Sequence, residues 1–311
     1  MSGFASFALR RAFWIVATLW IVFTLSFILM RLVPGGPFDE ERKVPEEIKR
    51  NIEARYRLDQ PMYVQYGEHL WRLIWHGDFG LSYKLGDYSV NGVIAEGFPV
   101  SASLGIFAMV FAITLGTTAG VVSAVRRHSF LDNSLMTTAT LGIAVPNFVL
   151  ASLAIVLFVF TLKLLPAAGW GSLKQLVLPA VCLGAPYAAY IARLTRTGML
   201  EVLGRDFVRT AYAKGLSERR VIVRHALRGA LVPVVSYLGP ATAGILTGSL
   251  VLESIFALPG MGSHFIEAAL QRDYTMAMGM VMVYTLLLLV MNTLVDLSYA
   301  VLDPRVSIEK L

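Results

Sequence analysis

Charged residues divide the chain into long apolar runs and shorter polar joints. Six windows contain no Asp, Glu, Lys or Arg: Ala12–Met30, Gly97–Val125, Asn133–Leu162, Gln175–Ala192, Gly229–Leu252 and Tyr274–Val295. A hydrocarbon core about 30 Å thick needs roughly 20 helical residues, and each backbone polar group inside it must be bonded within the span. The pattern therefore predicts six membrane-spanning helices. The fourth window is the shortest and holds Pro179 and Pro186, but Arg193 at its end can reach headgroup level along its aliphatic stem. In the third, Pro146 predicts a kink. Arg10 and Arg11 precede the first window as they would in a signal peptide. That run is too long and too bulky for one and reads as a retained span.

Two polar segments carry helical patterns of their own. Between the first two spans, Pro45-Glu46-Glu47 predicts a helix start, with proline in the first turn and acids at the positive dipole end. Ile48, Ile52, Ala54 and Tyr56 supply its apolar side through Leu58. Pro61 opens a second helix in which Met62, Tyr66, Leu70 and Ile74 recur at i, i+4, flanked by Tyr63 and Trp71 and ended by Gly77. These aromatics either pack the loop onto the membrane surface or form a docking surface for something arriving from outside.

The other segment is Arg193–Arg228. Met199, Leu203, Phe207 and Ala211 share one face at i, i+4, while Glu201, Arg205 and Arg209 share another, where Glu201 can pair with Arg205. Lys214-Gly215 closes this helix, glycine being free to take the left-handed terminal conformation. Ser217 is the expected N-cap of a second helix carrying Val221, His225 and Arg228. The product is helix, glycine turn, helix, lying on the membrane face.

Composition agrees with the spans. The chain is 56% apolar and 15% charged, against about 45–50% and 25% in soluble domains, and its mean hydropathy is +0.64. The net charge of +6 raises the question of nucleic acid. Its Lys and Arg, however, concentrate in the short loops that share a side with both termini: Arg10, Arg11, Arg126, Arg127 and the nine of the 193–228 segment. The positive-inside rule makes that side cytoplasmic, N-in and C-in, and such loops face anionic lipid. A DNA-reading helix-turn-helix would need a compact third helix and freedom to enter a groove, whereas apolar spans clamp this segment at both ends.

Candidate chemistry is sparse. Cys182 stands alone, which excludes a disulfide framework or a CxxC pair and reads as a buried inert thiol. His69, His76, His128, His225 and His264 have no metal-ligand spacing. No Gly-x-x-x-x-Gly-Lys-Ser/Thr cradle for phosphate is present. No catalytic residue, metal site or bound cofactor is expected on this chain. The nearly charge-free spans suit a pathway tolerant of varied side chains better than a proton relay. Asp296, near the inner end of the last span, reads as an interfacial cap or salt-bridge partner.

The stretch Arg209-Thr210-Ala211-Tyr212-Ala213-Lys214-Gly215-Leu216, followed by His225-Ala226-Leu227-Arg228 and Leu231-Val232-Pro233, resembles the cytoplasmic loop of ABC-importer permeases, in particular their peptide/nickel branch. Of the general family pattern only Ala211, Gly215 and Leu227 match; the departures at Arg209, Thr210, His225 and Arg228 are those of the branch. Met30–Pro37, Gly77-Asp78-Phe79-Gly80 with Ser82, Phe256–Gly262, Arg272-Asp273-Tyr274 and Asp303-Pro304-Arg305 extend the resemblance over nearly the whole chain.

The resemblance implies an all-α integral membrane permease of a bacterial inner membrane. Span 1 would occupy 1–33, a periplasmic loop 34–98, the transmembrane core with the coupling loop 99–302, and a cytoplasmic tail 303–311. It implies a second homologous permease subunit, two cytoplasmic ATPase subunits holding ATP and Mg, and a periplasmic or lipidated peptide-binding protein. Arg209, Thr210, Ala211, Ala213, Lys214, Gly215 and Leu216 would then couple to an ATPase subunit. Gly244 and Gly248 allow close helix packing or a smooth peptide pathway. Glu253, Phe256, Pro259 and Gly260, where a Pro-Gly pair interrupts helix, are placed near the outer gate. Nickel, glutathione or another small solute remain as substrates of the same machinery. An ATP-independent carrier or channel fits less well, without an internal repeat or an intramembrane ion-pair chain. A third reading is a membrane assembly factor that merely recruits cytoplasmic proteins.

Overall fold

The structure, a computed structural model, describes residues 2–32, 54, 56–86, 88–247 and 250–302. In chain order the helices are α1 (Ser2–Leu32), α2 (Met62–His76), α3 (Val90–Val125), α4 (Phe130–Ala144), α5 (Asn147–Thr161), α6 (Leu173–Leu203), α7 (Asp206–Ala213), α8 (Glu218–Ala230), α9 (Val232–Thr247), α10 (Leu250–Ile255), α11 (Met261–Leu270) and α12 (Tyr274–Leu302). Among the described residues the one β-type pairing is an isolated bridge, Leu81 with Ser89. The all-α expectation holds. Most of the helix expected from Pro45, all but Ala54 and the Tyr56–Leu58 turn, lies outside the described residues, as do the tail 303–311 and the candidate Gly248.

Four helices, α1, α3, α6 and α12, are long and apolar enough to cross a membrane. The pairs α4–α5 and α8–α9 raise the number to six if each is one bent span. The third and fifth windows are thus not single helices. At the third, Val145 and Pro146 are both extended and the chain turns by 110° before α5 restarts. The proline ring disfavours helical backbone in the residue before it and offers no N–H to the preceding turn. Sequence predicted a kink; the break is more severe. At the fifth, the helix ends around Leu231 and resumes at Val232 with a 54° bend, which leaves Pro233 in the first turn of α9, where its missing N–H costs nothing.

The chain packs as two compact units, Met1–Ser101 with Pro259–Leu289, and Ala102–Leu258 with Val290–Leu311. In the first, Phe23 and Phe27 of α1 and Met278 and Met282 of α12 form a buried cluster, with Tyr66, Leu70 and Leu73 of α2 packed against it. Helix α2 begins after Pro61 and ends at Gly77, whose φ of 61° lets its N–H reach the carbonyls of Arg72 and Leu73. Its ends were legible and its buried stripe only partly so: Met62 and Ile74 are exposed, and Leu73 takes the packed position.

In the second unit α6 is the central helix, touching α4, α5, α9 and the Leu227–Ala230 turn of α8. The shortest window is the most buried of the four single-helix spans, with 61% of its apolar stretch inside. Gln175 accepts from the Ser172 N–H at 3.0 Å in a capping-box arrangement, so the helix starts firmly despite Pro179 and Pro186. It also runs on to Leu203, well past Ala192. Gly116 and Gly120 of α3 lie directly on it: a Cβ there would meet the carbonyls of Ala188 and Ala192 at 2.6 and 2.5 Å. This Gly-x-x-x-Gly spacing lets two backbones approach closely without a side chain between them.

Candidate coupling loop and gate

Helix α6 stops at Leu203 because Gly204 and Arg205 leave the helical ladder before α7 begins at Asp206. The predicted continuous stripe is therefore corrected. Met199 and Ala211 are buried, but the break rotates α7 so that Val208 goes inside and Phe207 is half exposed. Met199, Val202, Val208, Ala211, Val221, Ala226 and Ala230 close over Ala124 of α3 as one core cluster. The loop is thus a packed extension of the span helices. Glu201 and Arg205 pair at 2.5 Å as expected, although an exposed pair of this kind contributes only about 0–1 kcal/mol.

Of the coupling candidates, Ala211 is buried and Leu216 packs partly against the cluster. Arg209, Thr210, Ala213, Lys214 and Gly215 face outward. The Gly215 N–H donates to the Tyr212 carbonyl at 2.9 Å and the Leu216 N–H to the Ala211 carbonyl at 3.3 Å, closing the turn. Gly215 has φ +75°, and no heavy atom lies within 4 Å of where its Cβ would be. The requirement for glycine within this chain is thus conformational, and a side chain there would project into open space. Ser217 is extended at the N-cap position, as predicted, but its side chain makes no capping bond.

Beside this cluster lies a polar clamp that the charge-bounded windows missed. Asp132, 1% exposed in the first turn of α4, receives Nε and Nη2 of Arg196 at 2.8 and 2.9 Å. It also accepts from the Ser123 hydroxyl and from the His128 N–H at 2.9 Å. Three segments, the end of α3, the start of α4 and the C-terminal third of α6, are fixed by one carboxylate. Its sequence signal was a Ser-x-x-Asp helix start at Ser129–Asp132, where the Ser129 hydroxyl accepts from the Asp132 N–H at 3.2 Å.

The gate candidates are dispersed. Gly244 lies against Tyr187 of α6, whose hydroxyl would be 2.7 Å from an added Cβ. Glu253 and Phe256 are buried near the end of α10, and the Phe256 carbonyl accepts from the Gly169 N–H at 3.0 Å. Ala257 takes φ +48°, after which the Leu258 N–H bonds the Glu253 carbonyl. Pro259 and Gly260 belong to the first compact unit, where Gly260 caps α11 and the Met261 N–H donates to Ser101 Oγ at 2.9 Å.

Two motifs far apart in sequence meet in the first unit. Asp273, 2% exposed, precedes α12 and caps it through the Met276 N–H at 3.1 Å. The same carboxylate accepts from the Ser82 hydroxyl and from the N–H groups of Tyr83 and Lys84 at 3.2 and 3.3 Å. A cavity of about 160 Å³ lies nearby, lined by Tyr56, Glu68, His69, Arg72, Tyr83 and Thr275 among others. Burial, reinforced by Arg31 and Arg72, pushes His69 down to about 4, so its imidazole is neutral at physiological pH. The Arg57 hydrogen bond holds Glu68 below the usual carboxylate range, and burial raises Tyr83. Among the described residues no group of His, Cys, Asp or Glu is arranged to hold a metal.

Comparison with known proteins places this architecture. Residues 112–308 match a family described as binding-protein-dependent transport system inner membrane components. A dipeptide transport system permease protein, DppB of Bacillus subtilis, is 48% identical over 98% of this chain and 99% of its own. An oligopeptide transport system permease protein, OppB of Escherichia coli, is 48% identical over 96% of this chain and 98% of its own. Two inward-facing structures of the MetNI methionine ABC transporter share the fold at TM-scores of 0.55 and 0.57, with 15% and 16% identity, over 68% of this chain and 96% of theirs.

Proposed function

The chain belongs to the family of binding-protein-dependent transport system inner membrane components, a multi-pass inner-membrane permease, and from that premise we propose that it forms half of the translocation pathway of an ATP-driven peptide importer. The observation that carries this reading is near-complete, end-to-end similarity to permeases named for dipeptides and oligopeptides. A second permease subunit supplies the other half of the pathway, and a periplasmic or lipidated binding protein delivers the peptide. ATP and Mg belong to two partner ATPase subunits.

In this reading α7 and the turn to Leu216 are the coupling element. The outward residues Arg209, Thr210, Ala213, Lys214 and Gly215 contact an ATPase subunit, while Ala211 and Leu216 anchor the element on the shared cluster. Closure of the ATPase subunits is then delivered to α6 and α3 through side chains that are already packed, with no slack to take up. Gly244, Gly248, Glu253, Phe256, Pro259 and Gly260 are proposed as pathway and outer-gate positions.

The test reconstitutes the chain with its co-purifying subunits and measures uptake of labelled di- and oligopeptides. Uptake should require ATP and fail with Gly215→Val. Peptide uptake that persists without ATP sinks the importer reading. ATP-driven uptake of nickel or glutathione with no peptide uptake sinks the substrate.

A further inference from the structure

Helix α2 has three sides, and only two have partners within the described residues. Tyr66, Leu70 and Leu73 pack on α1 and α12. Gln65, Glu68 and Arg72 form the polar side, bonded to Arg31 and Arg57. The third side is apolar and open: Tyr63, Val64, Trp71, Ile74 and Trp75 fall within a sector of roughly 120° at 3.6 residues per turn. Tyr63 is 77%, Trp71 60% and Trp75 66% exposed, and the two indoles lie 5.4 Å apart.

The register of α2 on α1 says what this side meets. The Tyr66 hydroxyl is hydrogen-bonded to Thr24 Oγ1 at 2.8 Å, and the Tyr66 ring packs edge-on to Phe23 and Phe27. Thr24 lies about 10 Å along the helix axis inside Arg31, the first charged residue after the apolar run. An amphipathic helix in the plane of a bilayer buries its apolar side about 5–10 Å into the headgroup and acyl boundary, and Trp and Tyr concentrate at that depth. At the same level α1 exposes Leu25, Ile28, Leu29 and Leu32, which a spanning helix shows to lipid. We propose that α2 is an interfacial helix whose Tyr63–Trp75 side is seated in membrane lipid, fixing the height of the segment between α1 and α3 at the bilayer surface. The polar side then stands at the water boundary, where Arg57 and Arg72 converge on Glu68.

Tryptophan quenching tests this. The chain has five tryptophans. The full chain, purified with its accompanying subunits, is reconstituted in phosphatidylcholine/phosphatidylglycerol vesicles with Trp14, Trp20 and Trp170 changed to Phe, leaving Trp71 and Trp75 as this chain's emitters, and the emission of a matching complex with those two also changed to Phe is subtracted to remove the accompanying subunits. The unaltered chain and its Trp71→Phe/Trp75→Phe variant supply the same signal by difference if the triple variant folds poorly. The expected result is a blue-shifted emission quenched most by lipid brominated near the carbonyl end of its acyl chains, less by lipid brominated near the methyl end, and least by aqueous iodide. Strong iodide quenching would overturn the proposal, since the side then faces water. Protection from both lipid and aqueous quenchers would overturn it equally, because a protein surface then covers the side. Stronger quenching from the methyl end would show a buried helix in place of an interfacial one.

Discussion

Two buried carboxylates, one in each compact unit, hold segments distant in sequence, and they do it by different means. Asp132 in the second unit is met by a guanidinium through two parallel bonds, with a hydroxyl and a backbone N–H completing its shell. Asp273 in the first unit is met by one hydroxyl and three backbone N–H groups. Both sit at helix N-termini, where the dipole favours negative charge. The difference is in what a broken contact leaves behind. Removing Asp132 strands a partly buried cation, whereas removing Asp273 strands neutral donors, so the clamp beside the coupling loop is the more brittle of the two.

The largest expected effect follows from that contrast. Asp132→Ala should destabilise the chain by about 3–5 kcal/mol, since breaking a buried pair leaves one charge uncompensated. Thermal unfolding in lipid nanodiscs reads it. The Asp132→Ala/Arg196→Ala double variant should recover much of the loss, because the stranded charge has gone too. A double variant no better than the single one would show that the carboxylate acts through Ser123 and His128 alone. Asp273→Ala should cost less, about 1–3 kcal/mol for donors left buried, and Ser82→Ala should cost about 1 kcal/mol. If Asp273→Ala proves as damaging as Asp132→Ala, the distinction between charged and neutral shells is void.

Acid distinguishes the units in another way. His69 is held near 4 in the folded first unit against about 6.5 unfolded. Between those values the unfolded chain binds a proton that the folded chain refuses, so stability falls as pH drops from above 6.5 towards 4. By pH 5 the loss should be at most about 2 kcal/mol from this group. His69→Phe keeps a ring edge-on to Phe27 and should flatten the slope in that window. An unchanged slope would assign the acid sensitivity to another group.

Much of this was legible in the residues. Pro61, Gly77 and Pro146 mark real helix ends, because proline and glycine restrict or permit backbone angles wherever they stand. The coupling turn was legible for the same reason, with Gly215 at φ +75°. What charge-bounded windows could not rank was burial. The fourth span looks weak because Arg193 and Arg196 shorten its uncharged run, yet Arg196 is where the clamp binds and α6 is the centre of its unit. The Gly204 break was missed because the i, i+4 stripe continues across it; only tertiary packing decides that Val208 replaces Phe207. The Ser82 and Asp273 motifs were each visible, but nothing local links positions so far apart.

At the turn the effect on stability is again small, and it is where fold and function separate. Gly215 has left-handed φ and no neighbour within 4 Å of an added Cβ. Gly215→Ala should therefore cost only the intrinsic penalty of that conformation, about 1–2 kcal/mol. Asn, which tolerates the left-handed region best among residues with a Cβ, should cost less. Measured as ATP-dependent uptake and as stimulation of ATP hydrolysis by substrate, two orders of activity are possible. If the turn matters only through its backbone, activity should run Gly, Asn, Ala, Val, in step with the conformational penalty. If an ATPase subunit closes on the bare Cα, Asn should fail as badly as Val while its unfolding midpoint stays near that of the unaltered chain. The open space around Gly215, set against the filled space around Ala211, makes the second order the expected one.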